Sequence, residues 1–214
     1  MKRSIPIAAI VLLTGVLVWV IWLWHPVADQ SGVGRRLGLA APPSGGDFTL
    51  RSWRGPVSTK DLRGNVLLIY FGYTSCPDIC PTNLALITNA LKALTPSELG
   101  RVQVLFVSVD PQRDTLERLR EYTAYFHPSI LGVTGTPGEV AAAAKLYGAA
   151  YRRAEATDSA MGYTVDHSAY TYVVDPAGRL AQSLDHGTPS DRIIAVIRGL
   201  LEGPGAKEGS TSDR

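Results

Sequence analysis

Hydrophobic positions fall into two regimes along this chain. From Ile5 to Trp24 no charged side chain interrupts the apolar run. A stretch of about 20 such residues matches the hydrocarbon thickness of a bilayer. Lys2 and Arg3 precede it, which predicts a cytoplasmic N-terminus, and Trp19, Trp22 and Trp24 gather at the far end, where indoles prefer the membrane interface. The competing reading is a cleaved signal peptide, whose apolar core is usually shorter, ~7–15 residues, and is followed by a small-x-small site. His25-Pro26-Val27-Ala28-Asp29-Gln30 is a poor site of that kind. No cysteine lies near the span, so a bacterial lipoprotein anchor is excluded. Residues 1–25 therefore read as a cytoplasmic stub and one transmembrane helix. Residues 26–46, rich in Gly, Pro and Ser, read as a flexible tether, and 203–214 as a disordered tail.

In residues 47–202 the pattern changes to short apolar runs alternating with helical periodicity. Phe48-Thr49-Leu50 and Val57-Ser58 suggest a hairpin. Val66 to Phe71 is continuously apolar, the mark of a strand buried on both faces. From Pro81 to Leu94, Leu84, Ile87, Leu91 and Leu94 recur at helical spacing, with Pro81 suited to the first turn. Val102 to Val109 reads as a second buried strand, Asp114 to Phe126 as a helix and Ile130 to Val133 as a short strand. Thr136 caps a helix that opens with Pro137 and runs to Tyr147. Ala169–Val174 and Leu180–Leu184 predict a hairpin around Asp175-Pro176-Ala177-Gly178, and Ser190 is read as the cap of a last helix ending at Leu201. Strands alternating with helices and closing on a hairpin predict an α/β sheet with helices on both faces.

Charge narrows the partners. The formal net charge is +2, and after residue 45 there remain 17 basic against 18 acidic residues. No basic stripe is present, so nucleic acid is not an expected partner.

The chain has 2 cysteines, Cys76 and Cys80, both in Tyr73-Thr74-Ser75-Cys76-Pro77-Asp78-Ile79-Cys80-Pro81. That segment joins the first buried strand to the helix that follows. Thiolates are stabilised at a helix N-terminus by unpaired amides and the macrodipole. Pro77 and Pro81 stiffen the turn, and Asp78 is expected to order it by accepting amide hydrogen bonds. Two vicinal thiols outside the cytoplasm serve either as a disulfide or as a reduced pair of soft ligands. Soft thiolates suit Cu(I), and imidazole extends such a site to Cu(II). The candidate third ligand is His167, in Val165-Asp166-His167-Ser168, just before the run Tyr170 to Val174. In a thioredoxin-like sheet the loop before that strand lies beside the cysteine loop. The other histidines read differently: His25 as interfacial, His127 as a helix cap and His186 as a surface residue. Asp110-Pro111-Gln112-Arg113-Asp114 is expected to fix its loop and start the next helix. Zinc is a poor fit, because a closed structural site needs four ligands and no His-x₃₋₅-His spacing occurs.

Several stretches together resemble the Sco/SenC family of membrane-anchored, thioredoxin-like copper proteins that help assemble cytochrome c oxidase. They are Leu68-Ile69-Tyr70-Phe71-Gly72-Tyr73-Thr74, Cys76-Pro77-Asp78-Ile79-Cys80-Pro81 and Phe106-Val107-Ser108-Val109-Asp110-Pro111. Arg113-Asp114-Thr115, Gly132-Val133-Thr134-Gly135-Thr136-Pro137 and Val165-Asp166-His167-Ser168-Ala169-Tyr170 complete the set, in family order. The resemblance implies a thioredoxin-like domain over residues 47–202 that binds one copper ion, as Cu(I) or Cu(II), through Cys76, Cys80 and His167. It implies delivery of copper, or of reducing equivalents, to the dinuclear copper centre of oxidase subunit II, with copper chaperones or thiol reductants as further partners. Ser75 stands where relatives often carry histidine, a difference not expected to affect the metal. With the apolar span as anchor, the expected location is a bacterial inner membrane with the domain in the periplasm.

The alternative is an extracytoplasmic thiol–disulfide oxidoreductase without copper transfer. Ordinary thioredoxin chemistry uses two residues between the cysteines, opposite a proline; here there are three, opposite Asp166-His167-Ser168. A peroxiredoxin needs Thr or Ser three residues before its reactive cysteine and Pro four before that, where this chain has Tyr73 and Ile69.

Overall fold

The computed structural model describes residues 14–17, 19, 43–155 and 162–203. The chain divides into two compact units, Met1–Leu39 and Ala40–Arg214. In the first, residues 14–17 and 19 are helical, and the rest of the expected span from Ile5 to Trp24 lies outside the described residues. So do residues 26–42 of the expected tether and 204–214 of the expected tail. Among the described residues no helix is long and apolar enough to cross a membrane.

The second unit opens with β1 (Thr49–Ser52), β2 (Gly55–Ser58), a 3-10 turn (Thr59–Leu62) and β3 (Val66–Gly72). Then come α1 (Ile79–Lys92), α2 (Pro96–Leu99), β4 (Val102–Ser108), α3 (Leu116–Phe126), β5 (Ile130–Val133) and α4 (Pro137–Tyr147). It closes with β6 (Tyr151–Glu155), β7 (Tyr163–His167), β8 (Thr171–Val174), β9 (Leu180–Leu184) and α5 (Ser190–Glu202). Residues 44–46, at the domain end of the expected tether, are bonded to this unit. The Gly45 amide donates to Leu146 O and the Tyr147 hydroxyl to Gly46 O, both at 2.9 Å.

The main sheet has five strands in the order β5-β4-β3-β8-β9. β3, β4 and β5 run parallel, and β8 and β9 are antiparallel additions beyond β3. All residues of β3 are buried. Successive strand residues face opposite sides of a sheet, so both faces at β3 are covered. The parallel pairs require crossovers, and the helices supply them. This is the α/β sheet with flanking helices that the alternation of runs predicts, in the thioredoxin-like arrangement that the family resemblance implies. The helix that carries Cys80 therefore springs directly from the C-terminal end of the central strand.

The helix starts follow local chemistry. Thr136 caps α4 in a full capping box with Glu139, and Pro137 takes the first position, as expected. A second box, Thr95 with Glu98, starts the short α2, which the apolar pattern does not reveal.

Three details differ from expectation. The third helix begins at Leu116 with Thr115 as cap, because the Asp114 carboxylate turns inward to other partners. Ser190 is the first residue of α5 and does not cap it; its hydroxyl donates to Leu86 O at 2.8 Å and ties α5 to α1. The β6–β7 hairpin is a strand pair where the sequence predicts none. Its β6 strand, Tyr-Arg-Arg-Ala-Glu, is partly or fully exposed throughout and lacks the apolar alternation of a half-buried strand.

Candidate metal centre

The turn after β3 is narrow. Gly72 closes the strand, and the Cys76 amide donates to Tyr73 O at 3.2 Å. A Cβ at Gly72 would stand 2.7 Å from Cys80 Sγ and 2.9 Å from the Phe106 ring, so only glycine lets the sulfur come this close. Asp78 is the N-cap residue of α1, but its carboxylate makes no capping bond and is exposed. The expected ordering by that side chain is not what holds the turn. Instead, Asp78 O accepts from the Thr82 amide and hydroxyl, at 3.2 and 2.9 Å.

The loop is fixed from the opposite side by Asp114. This buried carboxylate accepts from the Thr74 amide at 2.9 Å, the Thr74 hydroxyl at 2.6 Å and the Ser108 hydroxyl at 2.6 Å. The start of the cysteine loop is thereby bonded to the end of β4. Ser75 faces Arg118, which donates to its hydroxyl at 3.2 Å. The Asp110–Arg113 segment fixes its loop, as expected. Asp110 pairs with Arg113 and accepts from the Tyr163 hydroxyl at 2.7 Å, while Arg113 donates to Tyr163 O at 3.0 Å. That network pins β7, whose last residue is His167.

His167 closes a strand; it does not sit in an open loop before β8. Ser168 is clasped by Ala150 through two bonds: the Ser168 amide donates to Ala150 O at 2.8 Å, and the Ala150 amide donates to the Ser168 hydroxyl at 3.1 Å. From there Ser168 O lies 3.1 Å from His167 Nδ1. A carbonyl only accepts, so Nδ1 is the donor in this bond, and Nε2 is the ring nitrogen left facing the sulfurs. Nε2 stands 3.3 Å from Cys80 Sγ. Tyr70 and Tyr73 meet the imidazole edge-on, at centroid distances of 6.2 and 5.8 Å. Asn83 of α1 donates to the Thr171 hydroxyl at 2.9 Å, joining the cysteine helix to the start of β8.

Both cysteines are free thiols and both are buried, Cys76 at 9% exposure and Cys80 at 0%. Their acidities are driven apart. A hydrogen bond from Cys80 holds Cys76 far below the ordinary thiol range against the opposing effect of burial, and the His167 side chain and the amides of Asp78 and Cys80 add to the lowering. Cys80 moves up, because it is hydrogen-bonded to Cys76, desolvated and next to that charge. The environment thus favours the thiolate at Cys76 over that at Cys80.

Among the described residues, Cys76, Cys80 and His167 form a group whose ligand atoms all lie within 4.8 Å of one another. The structure brings together the three residues singled out in the sequence and leaves Asp78 out. His127 caps α3 through its amide, and its Nδ1 accepts from the Ser129 amide at 3.1 Å; His186 is exposed. The donor set is two soft sulfurs and one imidazole, which fits copper in either oxidation state better than a hard cation. Sequence reading missed Tyr70, Gly72 and Tyr73 as site residues. The available signal was a tyrosine and a glycine near the end of an otherwise apolar strand.

A thioredoxin-like sheet with a Cys-x₃-Cys turn facing a histidine defines a narrow class of thiol and metal proteins. Residues 38–202 match the SCO1/SenC family, and the chain belongs to it. It is 36% identical over 156 residues to a SCO2-like protein of Rickettsia felis, covering 72% of this chain and 76% of that one. In two further Rickettsia relatives the match takes in 66% of their length. Among solved structures, yeast Sco1 with copper bound superposes with a TM-score of 0.68 at 34% identity, covering 81% of this chain and 96% of that one. BsSco, a member of the Sco family of cytochrome c oxidase assembly proteins in which a disulfide switch was identified, superposes with a TM-score of 0.59 at 26% identity. That match covers 76% of this chain and 95% of BsSco.

Proposed function

We propose that this domain binds one copper ion through Cys76 Sγ, Cys80 Sγ and His167 Nε2 and serves the assembly of cytochrome c oxidase. Copper is its cargo, destined for the dinuclear centre of subunit II. The observation that carries the reading is the convergence of the three ligand atoms within 4.8 Å. The Nδ1 bond to Ser168 O adds to it by freeing Nε2 as a donor. Copper bound to yeast Sco1, on the same fold at 34% identity, supports the choice of metal. The assembly role of BsSco supports the choice of target. Cys76 at the helix start supplies the anionic sulfur and Cys80 the second, and His167 favours retention of Cu(II).

A second reading is favoured by one observation. The two thiols are free, adjacent and of opposed acidity, as in a dithiol poised to attack a disulfide. In that reading the domain reduces the copper-ligand cysteines of subunit II. The uninterrupted apolar span from Ile5 to Trp24 supports a single-pass anchor in a bacterial inner membrane, with the domain in the periplasm.

The deciding experiment loads the purified domain with Cu(I) and mixes it with apo-subunit II, beside a thiol-reduction assay on oxidised subunit II. Copper found on the reduced acceptor after the two proteins are separated supports delivery. Reduction of the acceptor without metal transfer supports the second reading, and the absence of both transfer and reduction overturns both.

A further inference from the structure

Cys80 Sγ has a neighbour that neither ligation nor thiol exchange uses. The Tyr70 side chain is fully buried in the core, two residues before Gly72, and its hydroxyl points at Cys80 Sγ from 3.9 Å. Around it are Phe106, 6.2 Å between ring centroids, and the edge of His167. A buried phenol in an apolar strand normally finds an oxygen acceptor. Here its acceptor is sulfur. The missing Cβ of Gly72 lets that sulfur sit close to the strand, within the hydroxyl's reach.

We propose that Tyr70 is a positioning residue for Cys80, whose hydroxyl donates a hydrogen bond that stabilises the reduced or copper-bound sulfur relative to the disulfide. A disulfide sulfur carries little negative charge and is a weak acceptor. In the reduced pair Cys80 is itself hydrogen-bonded to Cys76, so the Tyr70 bond extends a chain in which each bond polarises and strengthens the next, a chain the disulfide lacks. In a copper thiolate Cys80 carries the charge itself, and hydrogen bonds to charged acceptors are the stronger ones. The hydroxyl therefore favours reduction of the disulfide. In that reaction two thiols of a reductant such as glutathione supply two electrons and two protons. The S–S bond between Cys76 and Cys80 breaks, and glutathione disulfide and the dithiol form. On copper the same bond withdraws electron density from Cys80 and raises the energy of sulfur-to-metal charge transfer.

The inference rests on the proposed copper site for its optical arm only; the thiol–disulfide equilibrium requires no metal. The test compares wild type with Tyr70→Phe, which removes one oxygen and keeps the ring. A second variant carries 3-fluorotyrosine at position 70, a stronger donor of nearly the same shape, and keeps the test open if the phenylalanine variant fails to fold. Equilibration with glutathione is read by mass spectrometry after thiol trapping. Tyr70→Phe is expected to make the disulfide about tenfold harder to reduce, which is about 30 mV for two electrons. The fluorinated variant is expected to move the equilibrium the other way. The Cu(II)–thiolate absorption should move to lower energy in Tyr70→Phe and to higher energy with fluorotyrosine, a pair of opposite shifts that loss of packing does not produce. Unchanged thiol–disulfide equilibria in the folded variants overturn the proposal. Shifted equilibria with no copper band in any form, wild type included, leave the Tyr70 proposal standing and remove the copper reading.

Discussion

Cys80 Sγ and His167 Nε2 stand 3.3 Å apart, although 87 residues separate them in the chain. Two independent scaffolds meet there. Cys80 is carried by the first turn of α1 at the end of the central strand, and His167 by the last residue of a hairpin that lies outside the main sheet. The anchors that keep them in register are buried polar contacts: Asp114 on the cysteine loop, Asp110 and Arg113 on β7, and Asn83 on Thr171.

The split acidity of the pair predicts selective alkylation. Cys76 is held low and is the more exposed sulfur, so it reacts first with iodoacetamide. A group held ionised below the ordinary thiol range keeps its rate as pH falls. An ordinary thiol loses roughly 75-fold in thiolate between pH 8 and pH 6, given a pKa of about 8.5. The rate at Cys76 should change by less than about threefold over that interval, with Cys80 unmodified while the domain is folded. Peptide mapping of trapped samples checks both statements; a rate that falls with the ordinary thiol curve contradicts them.

Asp114→Ala should be among the most damaging single changes outside the ligands. It removes three hydrogen bonds, leaving the Thr74 amide without its acceptor and the buried Ser108 hydroxyl, which still accepts from the Asp110 amide, with nothing to donate to. A loss of about 2–4 kcal/mol in urea unfolding is expected. Copper retention should weaken as well, because the turn that presents Cys76 loses its tie to β4. Stability within about 0.5 kcal/mol of wild type contradicts the role assigned to this carboxylate.

Glycines give a matched pair. Gly72→Ala forces a methyl group to 2.7 Å from Cys80 Sγ and should cost about 1–3 kcal/mol while displacing the sulfur. Gly138→Ala, in the first turn of α4 with nothing within 4 Å of an added Cβ, should instead be neutral or stabilising by up to about 1 kcal/mol. Copper binding should fall in the first variant only. Equal copper binding by both variants would show that close approach at Gly72 does not set the sulfur's position.

Most of the fold was legible because burial writes a period into the chain. Val66 to Phe71 is a continuous apolar run and Val102 to Val109 is apolar but for Gln103 and Ser108; they become the neighbouring strands β3 and β4 of the main sheet. Thr136-Pro137 with Glu139 is a complete helix start in sequence and in structure. What escaped were elements stabilised by particular partners. The β6 strand is largely solvated and held by pairing to β7, so it leaves no periodic trace. Ser190 has the composition of a cap yet spends its hydroxyl on Leu86 O. The three candidate ligands were legible because cysteine and histidine are scarce here. The tyrosines around them were not, since Tyr70 and Tyr73 read equally well as core.

His167→Ala tests the central claim most directly. Cu(I) is satisfied by two thiolates, whereas Cu(II) gains strongly from an imidazole nitrogen. The variant domain should retain Cu(I) measurably and lose most of its Cu(II)–thiolate absorption, while Cys76→Ser or Cys80→Ser loses both. Cells carrying His167→Ala as the only copy, at normal copper supply, should then fail to assemble active oxidase. A thiol reductase would tolerate this change far better than loss of either cysteine. Wild-type oxidase activity in those cells would contradict copper delivery through Cys76, Cys80 and His167 and leave thiol reduction as the function.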